Sequence, residues 1–299
     1  MTLCMAWIRS IGGIRELVIA TDSRLRFGCA WDCGPKVFST PRSDLAIAFA
    51  GDTLYAYPLI LHLIATIQHH SKLRSRAMDL FELRGHAVRI FSHLHKLISD
   101  LPKGQAQADE PDTRFILAGY SWKKKRFVVW TIRYESYLHR FTFSPLTQKP
   151  NSGLTHIGMT GDYVSDAKAL LARKLKEKGK LKGKELVDES LDFEPLEVLR
   201  DMIRSGKYNR IGGAPQIFKV YEHMNCEPYA VYWPNRKSGK VALLGRPLLP
   251  YEVSQRLVLD PDALTTHIEI SKNMKSKISK EVQPAEFRAD SIFTSEDIG

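Results

Sequence analysis

The sequence is poor in cysteine and lacks long apolar runs, and both absences exclude classes of protein. Only four cysteines occur in 299 residues, and no Cys or His pair with zinc spacing follows the closest two, Cys29 and Cys33. We therefore expect reduced thiols and no disulfide framework. No apolar run reaches the roughly 18 residues of a membrane span, so no membrane partner is expected. The first residues lack the basic and apolar regions of a signal peptide, which predicts a cytoplasmic protein.

Acidic residues are outnumbered, with 33 Asp and Glu against 44 Lys and Arg, and the net charge is +11. Much of the excess lies in the segment ARKLKEKGKLKGKEL, which has seven basic residues between Arg173 and Lys184. A nucleic-acid patch is one interpretation. The segment has no interleaved aromatic residues and contains two glycines, which favours a solvated loop after a helix. Nucleic acid is therefore not the expected partner.

The order of patterned segments predicts an α+β fold. Strand-like runs up to Gly51 are followed by two helix candidates, one that begins at Asp52 or Thr53 and one over residues 76–99. Further strands, two more helices and late strands follow, and the last helix is predicted near residues 194–205. This order fits a four-layer αββα sandwich of two antiparallel sheets flanked by helix pairs. Residues 1–250 are predicted to form this domain, and residues 251–299 a partly helical or disordered extension.

The first strands form a predicted hairpin with a clear register. TLCMAWIRS and IRELVIATD flank a Gly-Gly turn, which is a strong hairpin signal. If the turn is centred on Gly12, paired positions add up to 24, which places Thr2 opposite Asp22. A bulge would shift this register by a residue or two. Either way, the hairpin brings the first residues of the chain close to the carboxylate that ends the second strand.

A threonine at the N-terminus has a chemistry of its own. Initiator Met is usually removed before a residue as small as Thr2, and removal leaves Thr2 with a free α-amine of pKa about 7.7 to 8.0. Threonine and its own amine are a known nucleophile and base pair. A nearby Lys keeps such an amine neutral by charge repulsion, and an Asp orients that Lys. A backbone N–H beside a glycine can bind the oxyanion.

The sequence supplies these groups in order. Asp22 closes the second strand in IATDSR, and Lys36 begins the next strand in GPKVF. Gly51 ends the apolar strand AFAGD just before a helix N-terminus, where backbone N–H groups are unpaired and the helix dipole favours negative charge. Cys4 alternates with Thr2 along the first strand, so we expect it to pack on the same face and not to act as a nucleophile.

Taken together, these motifs resemble the proteasome β-subunit superfamily of N-terminal nucleophile (Ntn) hydrolases, and they are especially similar to the bacterial HslV and Anbu types. ILAGY, GMTGD and GGAPQIFKVYEH also match the family in type and order, so the resemblance covers residues 2–235. It implies the Ntn-hydrolase fold. It also implies a peptide or protein substrate and assembly into a homo-oligomeric ring, while an unfoldase partner stays open.

The resemblance implies a role for each of five residues. Thr2 is the expected nucleophile and base, Asp22 the partner of Lys36, and Lys36 the group that tunes the amine. The Gly51 N–H is the expected oxyanion donor, and Thr160 stands where the family has a serine near the amine. These five residues predict a threonine-type peptidase or amidohydrolase that works through an acyl-enzyme and needs no metal or organic cofactor.

One departure keeps a second interpretation open. The family's second Asp and Ser, just before the late Gly-Gly, are not evident in KYNRIGG, where Asn209 is the nearest polar substitute. This departure favours a non-catalytic assembly or binding subunit of the same fold. The complete set of Thr2, Asp22, Lys36 and Gly51 favours the hydrolase.

Overall fold

The computed structural model describes residues 2–105, 108–145, 157–183, 185–187 and 191–268, and the statements below concern that part of the chain. The first half contributes nine strands: β1 (Leu3–Ile11), β2 (Ile14–Thr21), β3 (Leu25–Arg26), β4 (Ala30–Trp31), β5 (Val37–Ser39), β6 (Leu45–Gly51), β7 (Thr113–Ser121), β8 (Arg126–Glu135) and β9 (Arg140–Pro145). The second half contributes nine more: β10 (Ile157–Gly161), β11 (Leu181–Lys182), β12 (Glu185–Leu186), β13 (Gln216–Tyr221), β14 (Cys226–Tyr232), β15 (Val241–Leu243), β16 (Arg246–Pro247), β17 (Val258–Leu259) and β18 (Thr266–His267). The helices are α1 (Thr53–His69), α2 (Ser71–Arg74), α3 (Leu80–Lys96), α4 (Val164–Glu177) and α5 (Glu194–Ser205).

The chain forms an α+β fold with two larger sheets, as the segment order predicts. The first sheet has the order β10-β1-β2-β13-β14-β15-β16, and β17 and β18 join it through β14. The second sheet has the order β5-β6-β7-β8-β9. Neighbours in both sheets are antiparallel, except that β17 runs parallel to β14. Two further pairs, β3 with β4 and β11 with β12, are small separate hairpins.

The register of the first hairpin differs from the prediction by one residue. Ile11 pairs with Ile14 and Cys4 pairs with Thr21, so paired positions add up to 25 and not 24. Gly12 and Gly13 both have positive φ, 57° and 80°, as a two-residue type I′ turn requires. The prediction that Thr2 lies opposite Asp22 is therefore wrong, because the turn contains both glycines.

The helices begin where the chain offers a capping side chain. α1 begins as predicted, and the Asp52 carboxylate accepts a hydrogen bond of 2.8 Å from Leu54 N. The predicted helix over residues 76–99 is shorter, because α3 begins only after its cap, Asp79. Arg76 has a φ of 66°, in the left-handed region, where a helix cannot continue. Among the described helices, none is long and apolar enough to cross a membrane.

Three of the four buried apolar clusters in the described part of the chain each join a different pair of surfaces. The first lies between the larger sheet and the pair α4 and α5; its members include Leu3, Met5, Trp7, Leu171, Leu175 and Leu199. The second lies between the five-stranded sheet and the helices α1 and α3; its members include Phe49, Ile60, Leu83, Phe91 and Phe115. The third contains strand residues of both sheets, among them Cys4, Ala6, Ile19, Ala48, Ile116 and Phe218.

The basic segment after residue 172 is tied to α5. Lys174 Nζ lies 2.9 Å from a Glu197 carboxylate oxygen, and Lys180 Nζ lies 2.7 Å from one of Glu194. Lys178 makes ion pairs with the same two glutamates. The segment is therefore the end of α4 followed by the β11–β12 hairpin, and it packs on α5. Ion pairs with the glutamates of α5 offset part of its positive charge, which a solvated loop would leave exposed.

The chain beyond residue 250 is described only in part. β17 and β18 extend the larger sheet there, and Asp260 N donates to Thr265 O to close the turn between them. Residues 269–299 lie outside the described part, so the helical or disordered extension stays a prediction for them.

Candidate active site

The candidate site lies at the beginning of β1, an interior strand between β10 and β2. Leu3, Met5 and Trp7 face α4 and α5, while Cys4 and Ala6 face the second sheet. Side chains alternate along a strand, so Cys4 lies on the side expected for Thr2. Thr2 itself is fully buried in the chain that carries Met1.

The backbone of Thr2 is hydrogen-bonded to the turn after β10. Asp162 N donates to Thr2 O at 2.6 Å, and Thr2 N donates to Asp162 Oδ2 at 2.8 Å. Gly161 makes this approach possible. Its φ is 105°, and a Cβ built on it would collide with Thr2 O. Thr2 and Asp162 are therefore held together by two hydrogen bonds in opposite directions.

The Asp22 carboxylate accepts four hydrogen bonds in the site. Its Oδ1 accepts from Lys36 Nζ at 3.0 Å and from Leu3 N at 3.2 Å. Its Oδ2 accepts from Arg24 N and from Gly212 N, both at 3.0 Å. One carboxylate thus connects the residue after Thr2, the lysine predicted to tune the amine, and the late Gly-Gly segment. These bonds hold the Asp22 carboxylate in a fixed orientation.

Burial dominates the electrostatics around the ion pair. Asp22 and Lys36 are both fully buried. Burial lowers the pKa of the Lys36 ammonium, and the adjacent Asp22 carboxylate opposes this shift. Burial, with a smaller contribution from Asp22, raises the pKa of the Cys4 thiol to about 12. Cys4 is therefore protonated near neutral pH, which agrees with its expected role as a packing residue.

Gln216 links the two segments that carry the ion pair. Its Oε1 accepts from Lys36 N at 2.9 Å and from Val37 N at 3.3 Å. Its Nε2 donates to Gly34 O at 2.7 Å and to Ser23 Oγ at 3.0 Å. The side chain is fully buried at the start of β13. Sequence reasoning missed it, because one glutamine in an apolar strand carries no local signal of a role 180 residues away.

Gln216→Ala is expected to destabilise the protein by about 1 to 3 kcal/mol, because it leaves buried backbone groups without partners. We also expect slower reaction at Thr2, since the Lys36 segment loses its anchor. Urea unfolding and the rate of Thr2 modification measure the two effects. Gln68→Ala is the matched control, since Gln68 is exposed on α1, and it should change neither. Unchanged stability of the Gln216 variant would contradict this account.

The other predicted residues lie around this centre. Thr160 is nearly buried and pairs with Cys4 across β10 and β1. Gly51 ends β6 with a φ of 115°, and a Cβ on it would collide with Asp112 O. Ala50, just before it, approaches Gly161 so closely that a Cβ there would lie 3.0 Å from Ala50 Cβ. The roles of Thr160 and Gly51 stay predictions.

Two charged residues that sequence reasoning did not single out complete the surroundings. Asp162 contacts Thr2 N as described, and Arg210 Nη1 lies 2.9 Å from Asp162 Oδ1. The side chain of Asn209, the predicted polar substitute, instead accepts a hydrogen bond of 2.9 Å from the Tyr163 hydroxyl. Asp162 is the last residue of the GMTGD motif and directly follows Gly161, so this motif could have pointed to it.

No protein-family model matches this chain, and no curated protein matches it. The functional argument therefore rests on the geometry. That geometry combines a hydroxyl residue at the second position, a carboxylate on its nitrogen, and a buried ammonium–carboxylate pair bonded to the next residue. Such an arrangement can activate a hydroxyl nucleophile if the Thr2 nitrogen is a free amine.

Proposed function

We propose that the protein is an N-terminal threonine hydrolase that cleaves amide bonds in peptides or proteins. The observation that carries the proposal is the buried Lys36–Asp22 ion pair, with Asp22 Oδ1 also bonded to Leu3 N. Burying an ion pair costs desolvation free energy that the attraction between the charges does not always offset. Ionisable groups with strongly shifted pKa values cluster at functional sites. Here the pair lies one residue from the proposed nucleophile.

The packing supports a four-layer Ntn-type fold for this hydrolase. One apolar cluster joins α4 and α5 to the larger sheet, another joins α1 and α3 to the five-stranded sheet, and a third joins the two sheets. The order that follows is helices, sheet, sheet, helices. The site lies at the first residues of an inner strand, which is where the proposed chemistry requires an N-terminus.

The proposed reaction uses the two functional groups of Thr2. Removal of Met1 frees the amine; Thr2 Oγ1 then attacks the amide carbonyl, and its proton passes to the amine directly or through a water. The amine gives this proton to the leaving amine as the C–N bond breaks, which leaves an acyl ester on Oγ1. A water activated by the amine hydrolyses the ester and restores Thr2.

The surrounding residues have separate parts in this reaction. The Lys36 ammonium favours a neutral amine by charge repulsion, and Asp22 orients that ammonium. Asp162 accepts a hydrogen bond from the amine and fixes its position. The Gly51 N–H is the proposed donor to the oxyanion, and Thr160 lies on the adjacent strand as a further hydroxyl. The reaction requires Met1 to be absent, because only then is the Thr2 nitrogen an amine that can accept a proton.

We further propose a homo-oligomeric ring in the cytoplasm as the working form. An apolar groove between α1 and α3 supports this part of the proposal; it is lined by Leu54, Pro58, Leu59, Leu94 and Ile98. Leu54 is 74% exposed and Leu61, on the same helix, 58%. Exposed apolar patches of this kind commonly mark contacts between subunits.

The test of the function is the intact mass of the untagged protein before and after treatment with a β-lactone, which esterifies a reactive N-terminal threonine. We expect a mass without Met1 that gains one adduct. A mass that retains Met1 and gains no adduct would contradict the hydrolase. The non-catalytic assembly subunit would then be the better account, and the unmatched KYNRIGG segment is the observation in its favour.

A further inference from the structure

We propose that Arg210 is a positioning residue that offsets the charge of Asp162, so that the Thr2 amine works as a base near neutral pH. The inference rests on the proposed function and deepens it. In this inference, the turn after β10 and Arg210 set the protonation of the Thr2 amine. The KYNRIGG segment lacks the second Asp and Ser that the resemblance would assign to this role.

The first step is the geometry of the three groups. The Asp162 carboxylate bridges its neighbours, with Oδ2 2.8 Å from Thr2 N and Oδ1 2.9 Å from Arg210 Nη1. Each oxygen thus has its own partner, the Arg210 guanidinium on one side and the Thr2 nitrogen on the other. Arg210 touches Asp162 and does not act on the substrate in this scheme, so it works through another residue.

The second step is that hydrogen bonds hold the backbone on both sides of this bridge in place. Asp162 N donates a hydrogen bond to Thr2 O. Gly161 allows the two backbones to approach closely there, because it has no Cβ. Arg210 lies two residues before Gly212, whose N–H is bonded to the buried Asp22 carboxylate. The carbonyl of Asn209, just before Arg210, accepts from Arg24 and Arg26. Arg210 therefore lies in a segment that is hydrogen-bonded to Asp22. The same carboxylate accepts a hydrogen bond from the N–H of Leu3, the residue after Thr2.

The third step is the balance of charge at the amine. A carboxylate beside an amine favours the protonated form and raises the pKa of that amine, which opposes its use as a base. Asp162 acts in this direction from the turn after β10, and Asp22 does so from the end of β2. Lys36 and Arg210 act in the opposite direction, while Cys4 is protonated and contributes little charge.

The consequence is a definite sign for the loss of Arg210. Asp162 and Asp22 then outnumber Lys36 around the amine, and the pKa of the Thr2 amine rises. Because the Arg210 side chain is 54% exposed, solvent screens its effect, and we expect the midpoint of Thr2 reactivity to rise by about 0.5 to 1 pH unit. The same exposure means that the substitution should not unfold the protein.

The experiment measures the rate of Thr2 modification by the β-lactone from about pH 5.5 to 9, with intact mass as the readout. Arg210→Met should shift the midpoint upward, and Arg210→Lys should return it part of the way. Arg246→Met is the matched control. Arg246 is also an arginine with a half-exposed side chain, and it lies 2.7 Å from a carboxylate oxygen of Glu252. It takes no part in the bridge to Asp162, so the midpoint of this variant should equal that of the wild type.

Two outcomes would overturn the inference and leave the hydrolase standing. One is an unchanged midpoint in Arg210→Met, even if the rate falls at every pH, since that pattern indicates a structural effect alone. The other is an equal shift in Arg246→Met, which would indicate a general surface-charge effect. If the wild type forms no adduct at any pH, the proposed function fails and the inference fails with it.

Discussion

Thr2→Ala is expected to abolish amide hydrolysis, with a loss of at least about 10³-fold in kcat, as for the removal of other covalent nucleophiles. The substitution removes Oγ1, the atom that forms the acyl ester, and leaves the backbone bonds between residue 2 and Asp162 in place. Alanine is also small enough for Met1 to be removed, so processing should not differ. Hydrolysis of a fluorogenic peptide and adduct formation give the two measurements.

Cys4→Ala is the matched control for this prediction. Cys4 is the other nucleophile type on the same face of β1, but burial raises the pKa of its thiol to about 12. We therefore expect this variant to keep its activity and its adduct. A Thr2 variant as active as the wild type would rule out the threonine mechanism, and an inactive but folded Cys4 variant would direct attention to the thiol.

Lys36→Met is expected to destabilise the protein by about 3 to 5 kcal/mol and to remove activity. The large effect on stability follows because the variant leaves the fully buried Asp22 carboxylate without its cation. Activity is lost because the amine is no longer kept neutral by the ammonium. Urea unfolding and β-lactone modification measure the two effects separately.

Two further variants test the cause. Lys123→Met breaks an exposed ion pair with Glu82, of 2.7 Å, and should change stability by less than about 1 kcal/mol. Asp22→Asn combined with Lys36→Met removes both buried charges and should recover part of the lost stability without restoring the reaction. A stable and fully active Lys36→Met protein would contradict the assigned role of the ion pair.

Local signals in the sequence were sufficient for most elements of the fold. The Gly-Gly turn, the Asp52 cap of α1 and the bounds of α5 follow from residues close together in the chain. The register of the first hairpin was wrong because a two-residue turn and a turn centred on one glycine differ by one position. The start of α3 was wrong because the apolar pattern does not show where its cap lies.

The contacts of the site were less accessible to sequence reasoning. The resemblance to a family pointed to Asp22 and Lys36, and the structure brings these two within 3.0 Å. It did not single out Asp162, Arg210 or Gln216, whose partners are 48 to 194 residues away in the chain. Such pairings depend on which strands lie side by side, and this order is a property of the whole fold.

The central position of β1 has a consequence for the order of events during synthesis. Thr2 is synthesised 160 residues before Asp162, its partner. At about 5 to 20 residues per second, this interval lasts about 8 to 30 seconds. The strand β10 and the turn after it therefore do not yet exist when Thr2 is made. In the proposed hydrolase, Met1 is removed most easily in this interval, because Thr2 is enclosed in the sheet once β10 has paired with β1.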